Sequence, residues 1–488
     1  MECLIHIDDI SLKLTLPLLH NSSLKFSLQE CLVKFQNRIL VPLENQNGIV
    51  RVGRNTVTVW VQVDIPADAP SGVNDVTVTF AAKDPATENM TAVMKIDVAE
   101  VSLPDHGIRY TRWFYADCIA QTHGAEIYSE EHWGLIEKYI AAATDLGINM
   151  ILVPIHTPPL DTMPDRIRPC VQLVDIEYTD GRYTFSTEKL ARFIEICKKH
   201  GVRYFEMAHM YSQWGAAHTP NIMVTENGVQ SYRFGWHTSS DDPRYSDFLG
   251  QYIPAVIGEL ERQGVDGKSY FHVSDEPDES SLAAYRRGYD VIRPLVGNCK
   301  IFDALSHREF WEKGVVKIPV TREETIHEFL ECPVEEQWVY YCCLPQTKYP
   351  NSFLGMPCHR IRVIGFLIYK YDIKGFLHWG FNFYNSSLSV YPIDPYITTS
   401  ADGAFPSGDG FIVYPGVDEV FASVRGAVMR QALEDIAVCR ALEEKIGRDA
   451  VVELIDKKAG CDLRFDDYPK YDGFCDTLRE EMIRRISQ

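Results

Sequence analysis

The segment SDFLGQYIPAVIGELERQGVDGKSYFHVSDEPDESSLAAYRRGYDVIRPLVGNCKIFDAL, residues 246–305, holds two apolar runs and two helix-length segments in strict alternation. Ser246–Gln263 and Glu279–Leu295 carry apolar residues at helical spacing, while Ser269–Ser274 and Lys300–Leu305 are short and apolar on both faces. Strands buried on both faces, each followed by an amphipathic crossover, are how a parallel sheet covered by helices reads. The same alternation continues outward in both directions. Upstream lie the runs Arg109–Tyr115, Ile148–Pro154 and Val202–Ala208, with helical segments at Glu130–Leu146 and Thr187–His200. Downstream lie Val315–Val320, Trp338–Cys342 and Gly375–Phe381, the first reached through a small helix, His307–Lys313. Eight such strands predict an α/β fold, a TIM-like (β/α)8 barrel over residues 105–446.

The flanks read differently. Residues 1–104 contain alternating runs such as Thr56–Val63 and Val76–Phe80, with turn signals at Asn47-Gly48 and Pro70-Ser71-Gly72, the pattern of a β-sandwich domain. Leu103-Pro104-Asp105 leads out of it. Beyond strand eight, Asp409–Gly416 enters a long helix at Val417–Lys445 that closes the barrel, and residues 447–488 form a helical C-terminal tail.

The chain has 488 residues, 45% hydrophobic and 24% charged, and Lys plus Arg (48) against Asp plus Glu (68) leaves a formal charge of −20. That charge opposes binding to nucleic acid or to an anionic membrane surface. Glu2, His6, Asp8 and Asp9 stand where a secretion signal needs positive charge followed by an apolar block, and the thirteen cysteines have no regular spacing. The expected location is therefore the cytoplasm, with reduced thiols.

Active sites of (β/α)8 barrels form at the carboxyl ends of the strands. Here those ends are aromatic and polar: Trp113-Phe-Tyr-Ala-Asp117, Met207-Ala-His-Met-Tyr211 followed by Trp214, Asp275-Glu276, Asp303, Tyr340-Tyr341 and His378-Trp-Gly-Phe-Asn382. Aromatic rings beside carboxylates suit a sugar, whose C–H faces stack while its hydroxyls hydrogen-bond. The candidate contacts are Tyr340, Trp379, Trp214, Asn382, Asp303 and His209. Ser212–Asp242 is longer than a connection requires and reads as a lid or specificity loop.

Asp275 and Glu276 are the candidate chemical pair. Neighbours in a flat strand point to opposite faces, so both reach one site only where the strand breaks, and Pro277 marks such a place. The same residue types also begin helices, so a capping role stands beside the catalytic one. No HExxH or HxH spacing and no glycine-rich phosphate loop is present, which leaves no cofactor and no metal to expect.

Tyr270-Phe-His-Val-Ser-Asp-Glu-Pro277, Trp338-Val-Tyr-Tyr341, Gly375-Phe-Leu-His-Trp-Gly-Phe-Asn382, Gly408-Asp-Gly410 and Tyr414-Pro-Gly416 together resemble family 123 of the glycoside hydrolases. Pro66-Ala-Asp-Ala-Pro-Ser-Gly72 extends the resemblance into the sandwich. It implies a retaining, exo-acting β-N-acetylgalactosaminidase with substrate-assisted catalysis, in which the substrate's 2-acetamido oxygen attacks the anomeric carbon to give an oxazoline. Glu276 would be the acid and then the base, and Asp275 would orient the acetamido N–H. Tyr340 would bond the acetamido oxygen and Trp379 would stack on the ring of a glycan with terminal β-N-acetylgalactosamine. A glycosidase of other sugar specificity and a non-catalytic carbohydrate-binding barrel are the alternatives.

Overall fold

The computed structural model describes residues 88–488 continuously and, before them, residues 3–5, 10–15, 25–32, 39–42, 49–50, 57–65, 69–82 and 86. The expected turn at Asn47-Gly48, residues Pro66-Ala-Asp68, and Glu2, His6, Asp8 and Asp9 lie outside the described residues.

Eight parallel strands close into a barrel: β1 (Arg109–Arg112), β2 (Met150–Val153), β3 (Tyr204–Met207), β4 (Ser269–Phe271), β5 (Lys300–Ala304), β6 (Ile318–Arg322), β7 (Trp338–Tyr340) and β8 (Gly375–His378). Each pairs with its successor, and β8 returns to β1 in register Gly375↔Arg109 through His378↔Arg112. Every one overlaps an apolar run of the sequence, β6 lying displaced toward the C-terminus, at Ile318–Arg322 against the expected Val315–Val320. Their interior is aromatic: Phe302 packs edge-on against Tyr270 and Trp338 at centroid distances of 5.0 and 5.1 Å. Gly375 makes room for this packing, because a Cβ there would come within 2.2 Å of the Trp338 ring.

Helices α1 (Ala116–His123), α2 (Glu130–Asp145), α3 (Glu188–Lys199), α4 (Pro243–Arg262) and α5 (Leu282–Ile292) follow β1 to β4. They are ended by local chemistry: Ser129 and Asp242 cap α2 and α4, accepting from the His132 and Arg244 amides, and Gly124 closes α1 in the left-handed region. The link between β5 and β6 holds only α6 (Glu309–Glu312), a single turn. Past β7 come α7 (Cys358–Arg362) and α8 (Ile364–Lys370), and past β8 the long α9 (Val424–Ile446), then α10 (Arg448–Ala459) and α11 (Phe474–Ile486). Helix α9 starts later than its apolar periodicity suggests, because Val413–Pro415 and Val420–Ala422 pair as a hairpin and Ser423 caps the helix behind them.

Two four-stranded antiparallel sheets precede the barrel, in the orders Cys3–Ile5, Val57–Asp64, Lys25–Leu32, Ile39–Pro42 and Ile49–Val50, Ile10–Thr15, Gly72–Ala82, Met90–Val98. Gly72, at the expected Pro-Ser-Gly turn, has φ +119°, a conformation that favours glycine. Residues 212–242 are not a bare lid. Within them Ile222–Glu226 and Val229–Phe234 form a hairpin that joins Asp175–Thr179 and Arg182–Ser186 in a further sheet beside the barrel.

Candidate active site

A cavity of about 130 Å³ lies at the carboxyl ends of the barrel strands. Asp275, Glu276, Tyr340, Trp379 and Trp214 all line it, together with Trp113, Tyr115, Asp161, Gln213, Cys342, Cys343 and Phe405. Both carboxylates reach it because regular strand geometry stops at Phe271 and Glu276 takes φ +39°, in the left-handed region. Such a conformation in a non-glycine residue costs of order 1–3 kcal/mol and persists only where its surroundings hold it. Here the Glu276 amide donates to the Ala304 carbonyl at 3.1 Å, and the Trp214 amide donates to the Asp275 carbonyl at 2.9 Å. Trp214 itself has φ +58°, as Ala216 has +57°, and Ser274 Oγ accepts from the Ala216 amide at 3.0 Å. Two strained segments, both contributing to the cavity wall, thus brace each other.

Burial, and after it the charge of Glu276, raise the Asp275 carboxyl well above the ordinary range. Tyr340 donates its hydroxyl to Glu276 Oε1, so in the free protein this phenol is engaged with the acid and not directed at a separate oxygen. Trp379 is fixed by its indole N–H donating to Asp409 Oδ2 at 2.8 Å and by edge contacts to Phe383 and Phe405 at 5.1 and 5.2 Å. Burial raises Asp409 to about 7. Trp214, 56% exposed, stands at the mouth.

Three of the expected contacts lie elsewhere. Asn382 is fully buried and spends its amide on the Tyr115 backbone, accepting from the N–H at 2.9 Å and donating to the carbonyl at 3.1 Å. Asp303 and His209 sit beneath the cavity, not on its wall, around a residue that reads as ordinary strand filling, His272. Its ring donates through Nδ1 to Asp303 Oδ1 at 2.8 Å and through Nε2 to Glu206 Oε1 at 2.7 Å. Glu206 also accepts from Trp113 Nε1 at 2.5 Å and Thr111 Oγ1 at 2.7 Å. Asp303 accepts from Tyr285 and from the Val273 amide. Burial alone would depress His272, but its bonds to the two carboxylates outweigh burial and raise it to about 9. Asp303 is raised, because burial exceeds the bonds that would lower it. The result is a buried imidazolium between two acids, under the segment that carries Asp275.

Among the described residues, His209, His272 and Asp303 are close enough to share a metal ion, their ligand atoms lying within 4.8 Å of one another. The donor set does not fit one. Both nitrogens of His272 are committed, and its ring stacks on His209 at 3.9 Å and 11°, so the two rings present faces to each other and not lone pairs to a common point. Burial, then the His272 charge, depress His209 well below its ordinary range, leaving a neutral ring.

The residues missed by the strand-end argument come from irregular loops. Asp161, at φ +40°, is held by the Leu388 amide at 2.9 Å, and burial raises it to about 6. Its loop is pinned by Arg168, which donates to the Leu160 carbonyl at 3.1 Å and pairs in a buried bidentate bridge with Asp117 at 2.7 and 2.9 Å. Cys342 and Cys343 follow β7, their sulfurs 3.8 Å apart. The hydrogen bond between the two thiols, in which either sulfur can donate, raises Cys342 and lowers Cys343.

The fold is similar to that of a family 123 glycoside hydrolase from Clostridium perfringens, a structure described as giving details of glycolipid glycan hydrolysis. Identity is 15%, 99% of this chain and 88% of that chain are covered, and the TM-score is 0.70. A family 39 glycoside hydrolase from Bacteroides cellulosilyticus matches at 10% identity over 88% of this chain and 79% of the other, but with a TM-score of 0.34 it carries no argument. No curated protein matches the sequence. The sequence profile "Glycoside hydrolase 123, catalytic domain" matches residues 113–442, which span β2 to β8 of the barrel, the cavity and most of α9. The chain belongs to glycoside hydrolase family 123.

Proposed function

We propose that this glycoside hydrolase is a retaining, exo-acting β-N-acetylgalactosaminidase that uses the substrate's 2-acetamido group as nucleophile. The observation that carries the reading is that Asp275 and Glu276, neighbours in the chain, both line one small cavity. In an ordinary retaining enzyme the nucleophilic carboxylate stands across the sugar from the acid, about 5 to 5.5 Å away. Two neighbours on one braced turn are poorly placed to straddle a ring. The acetamido oxygen then supplies the attack on the anomeric carbon, the glycosidic C–O bond breaks, and the leaving oxygen takes its proton from Glu276. Water, deprotonated by Glu276, opens the oxazolinium with net retention.

The raised Asp275 gives the pair a proton to work with. An acetamido N–H donated to Asp275 stabilises its carboxylate, and hydrogen bonding to the charged form lowers a carboxyl group's affinity for protons. The proton then resides on Glu276, where the leaving oxygen needs it. The buried His272 charge supports the same distribution by favouring the Asp275 anion. Trp379 forms the stacking wall, and Trp214 at the mouth supports the aglycone side. A cytoplasmic location and a glycan partner ending in β-N-acetylgalactosamine belong to the same proposal.

A panel of aryl N-acetylgalactosaminide, N-acetylglucosaminide and galactoside substrates tests specificity, with turnover of the first expected. Preferred cleavage of the plain galactoside would point to a glycosidase of other specificity. Mechanism is tested with a thiazoline analogue of N-acetylgalactosamine, expected to inhibit strongly, and with Asp275→Asn, expected to lose activity because an amide cannot offset the oxazolinium charge. A 2-fluoro glycoside that leaves a sugar on a protein carboxylate, detected by mass spectrometry, would overturn substrate assistance.

A further inference from the structure

The catalytic cavity is lined by three carboxylic acids, Asp161, Asp275 and Glu276, and by two thiols, and among the described residues no Lys, Arg or His side chain lines it. Such a lining attracts cations, and its softest donors are a pair. Cys342 and Cys343 hold their sulfurs 3.8 Å apart on a backbone that is itself fixed: the Cys342 amide donates to the Leu344 carbonyl at 2.9 Å. Asn351 Nδ2 donates to the Cys342 carbonyl at 2.9 Å and Gln346 Nε2 to the Cys343 carbonyl at 3.1 Å. With zinc–sulfur bonds of about 2.3 Å and tetrahedral angles, two thiolates on one ion stand about 3.8 Å apart. A disulfide would need the sulfurs to close to about 2.05 Å, against that fixed backbone.

We propose that Cys342 and Cys343 form a binding site for a thiophilic divalent cation of the zinc and cadmium class, and that its occupation shuts the catalytic cavity. The ion takes two thiolates and releases two protons, completing its shell with water. It inhibits by filling the space of the sugar and by neutralising the acids that act on it. Catalysis needs no metal on this reading, so the site is inhibitory. The inhibition rests on the cavity being the glycosidase site, whereas binding does not.

The two claims are measured separately. Cadmium chloride is titrated into reduced, chelator-free protein, and the ultraviolet thiolate-to-cadmium charge-transfer band reports binding without any substrate. The expected result is a band complete at one equivalent for the wild type and weakened in Cys343→Ser and in Cys342→Ser. Affinity should fall by 10- to 100-fold or more, since even outer-shell changes cost roughly that much. Hydrolysis of whichever aryl glycoside the wild type cleaves should be inhibited over the same concentrations, restored by EDTA, and insensitive over that range in Cys343→Ser relative to its own uninhibited rate. An unchanged band in folded Cys343→Ser, or no band at one equivalent in the wild type, overturns the site. A band without inhibition overturns the closure of the cavity.

Discussion

Replacing His272 with Gln tests whether the floor of the cavity is built on a buried charge. The imidazolium sits between Glu206 and Asp303 at 2.7 and 2.8 Å with no exposure to solvent, and its affinity for protons rises from the ordinary 6.5 to about 9. At 1.36 kcal/mol for each pH unit, that rise is about 3 kcal/mol of stability. A group whose affinity is raised by folding contributes in full below its unfolded value and loses the contribution as pH climbs through the folded one. The window is therefore pH 6.5 to about 9. Glutamine keeps a donor and most of the volume but no charge, leaving two buried carboxylates facing each other. Removing one partner of a buried ionic group costs about 3–5 kcal/mol. Urea unfolding of wild type and His272→Gln at pH 6, 7.5 and 9.5 should give a gap of several kcal/mol at pH 6 that narrows by about 3 kcal/mol by pH 9.5. A gap of constant size across that range would show that His272 is neutral, and the account of the network would be wrong.

Glu276→Gln should fold normally and lose about 10²- to 10⁴-fold in kcat on substrates with poor leaving groups, the usual worth of general acid help, with less effect on activated aryl glycosides. Wild-type rates would remove Glu276 from the chemistry. Trp379→Ala should lower kcat/KM by about 2- to 10-fold, from a stacking contribution of about 0.5–1.5 kcal/mol. If folded variant protein binds sugar as wild type does, the ring is packing alone. Asp161→Asn should raise KM more than it lowers kcat. Because Asp161 titrates at about 6, the wild-type KM should improve as pH rises from 5 to 7 and the variant's should not. Parallel profiles for the two would exclude Asp161 from sugar binding.

The barrel was legible because its strands are short and mostly buried on both faces, so they fall in short, largely apolar runs, even where β1 carries Arg109 and Arg112 or β3 carries Glu206. Even β5 and β6, joined by a single helical turn, pair in register Phe302↔Ile318 to Ala304↔Val320. Strand ends say which rim of the barrel a residue occupies but not which way it faces. Trp379 and Tyr340 turn into the cavity, whereas Asp303, on the last turn of the same logic, faces His272 across 31 positions of sequence. The charge of His272 arises from Asp303 and Glu206, 31 and 66 residues away, so no local pattern could announce it. Asp161 and Phe405 reach the cavity from loops whose course depends on contacts such as Leu388 to Asp161, 227 residues apart.

These hidden residues share a physical cause with the visible pair. Glu276 holds φ +39°, Trp214 +58° and Asp161 +40°, three non-glycine residues in the left-handed region around one cavity. Each such conformation is unfavourable in an isolated chain and is retained where packing and hydrogen bonds oppose it. Trp214 is tied to Asp275, Glu276 to Ala304 at the end of β5, and Asp161 to Leu388 in the loop after β8. The closed barrel supplies the fixed partners that hold these turns in shape. Fold and site therefore differ in legibility for one reason: apolar burial is written in neighbouring residues, while strain is held by partners the sequence places far apart.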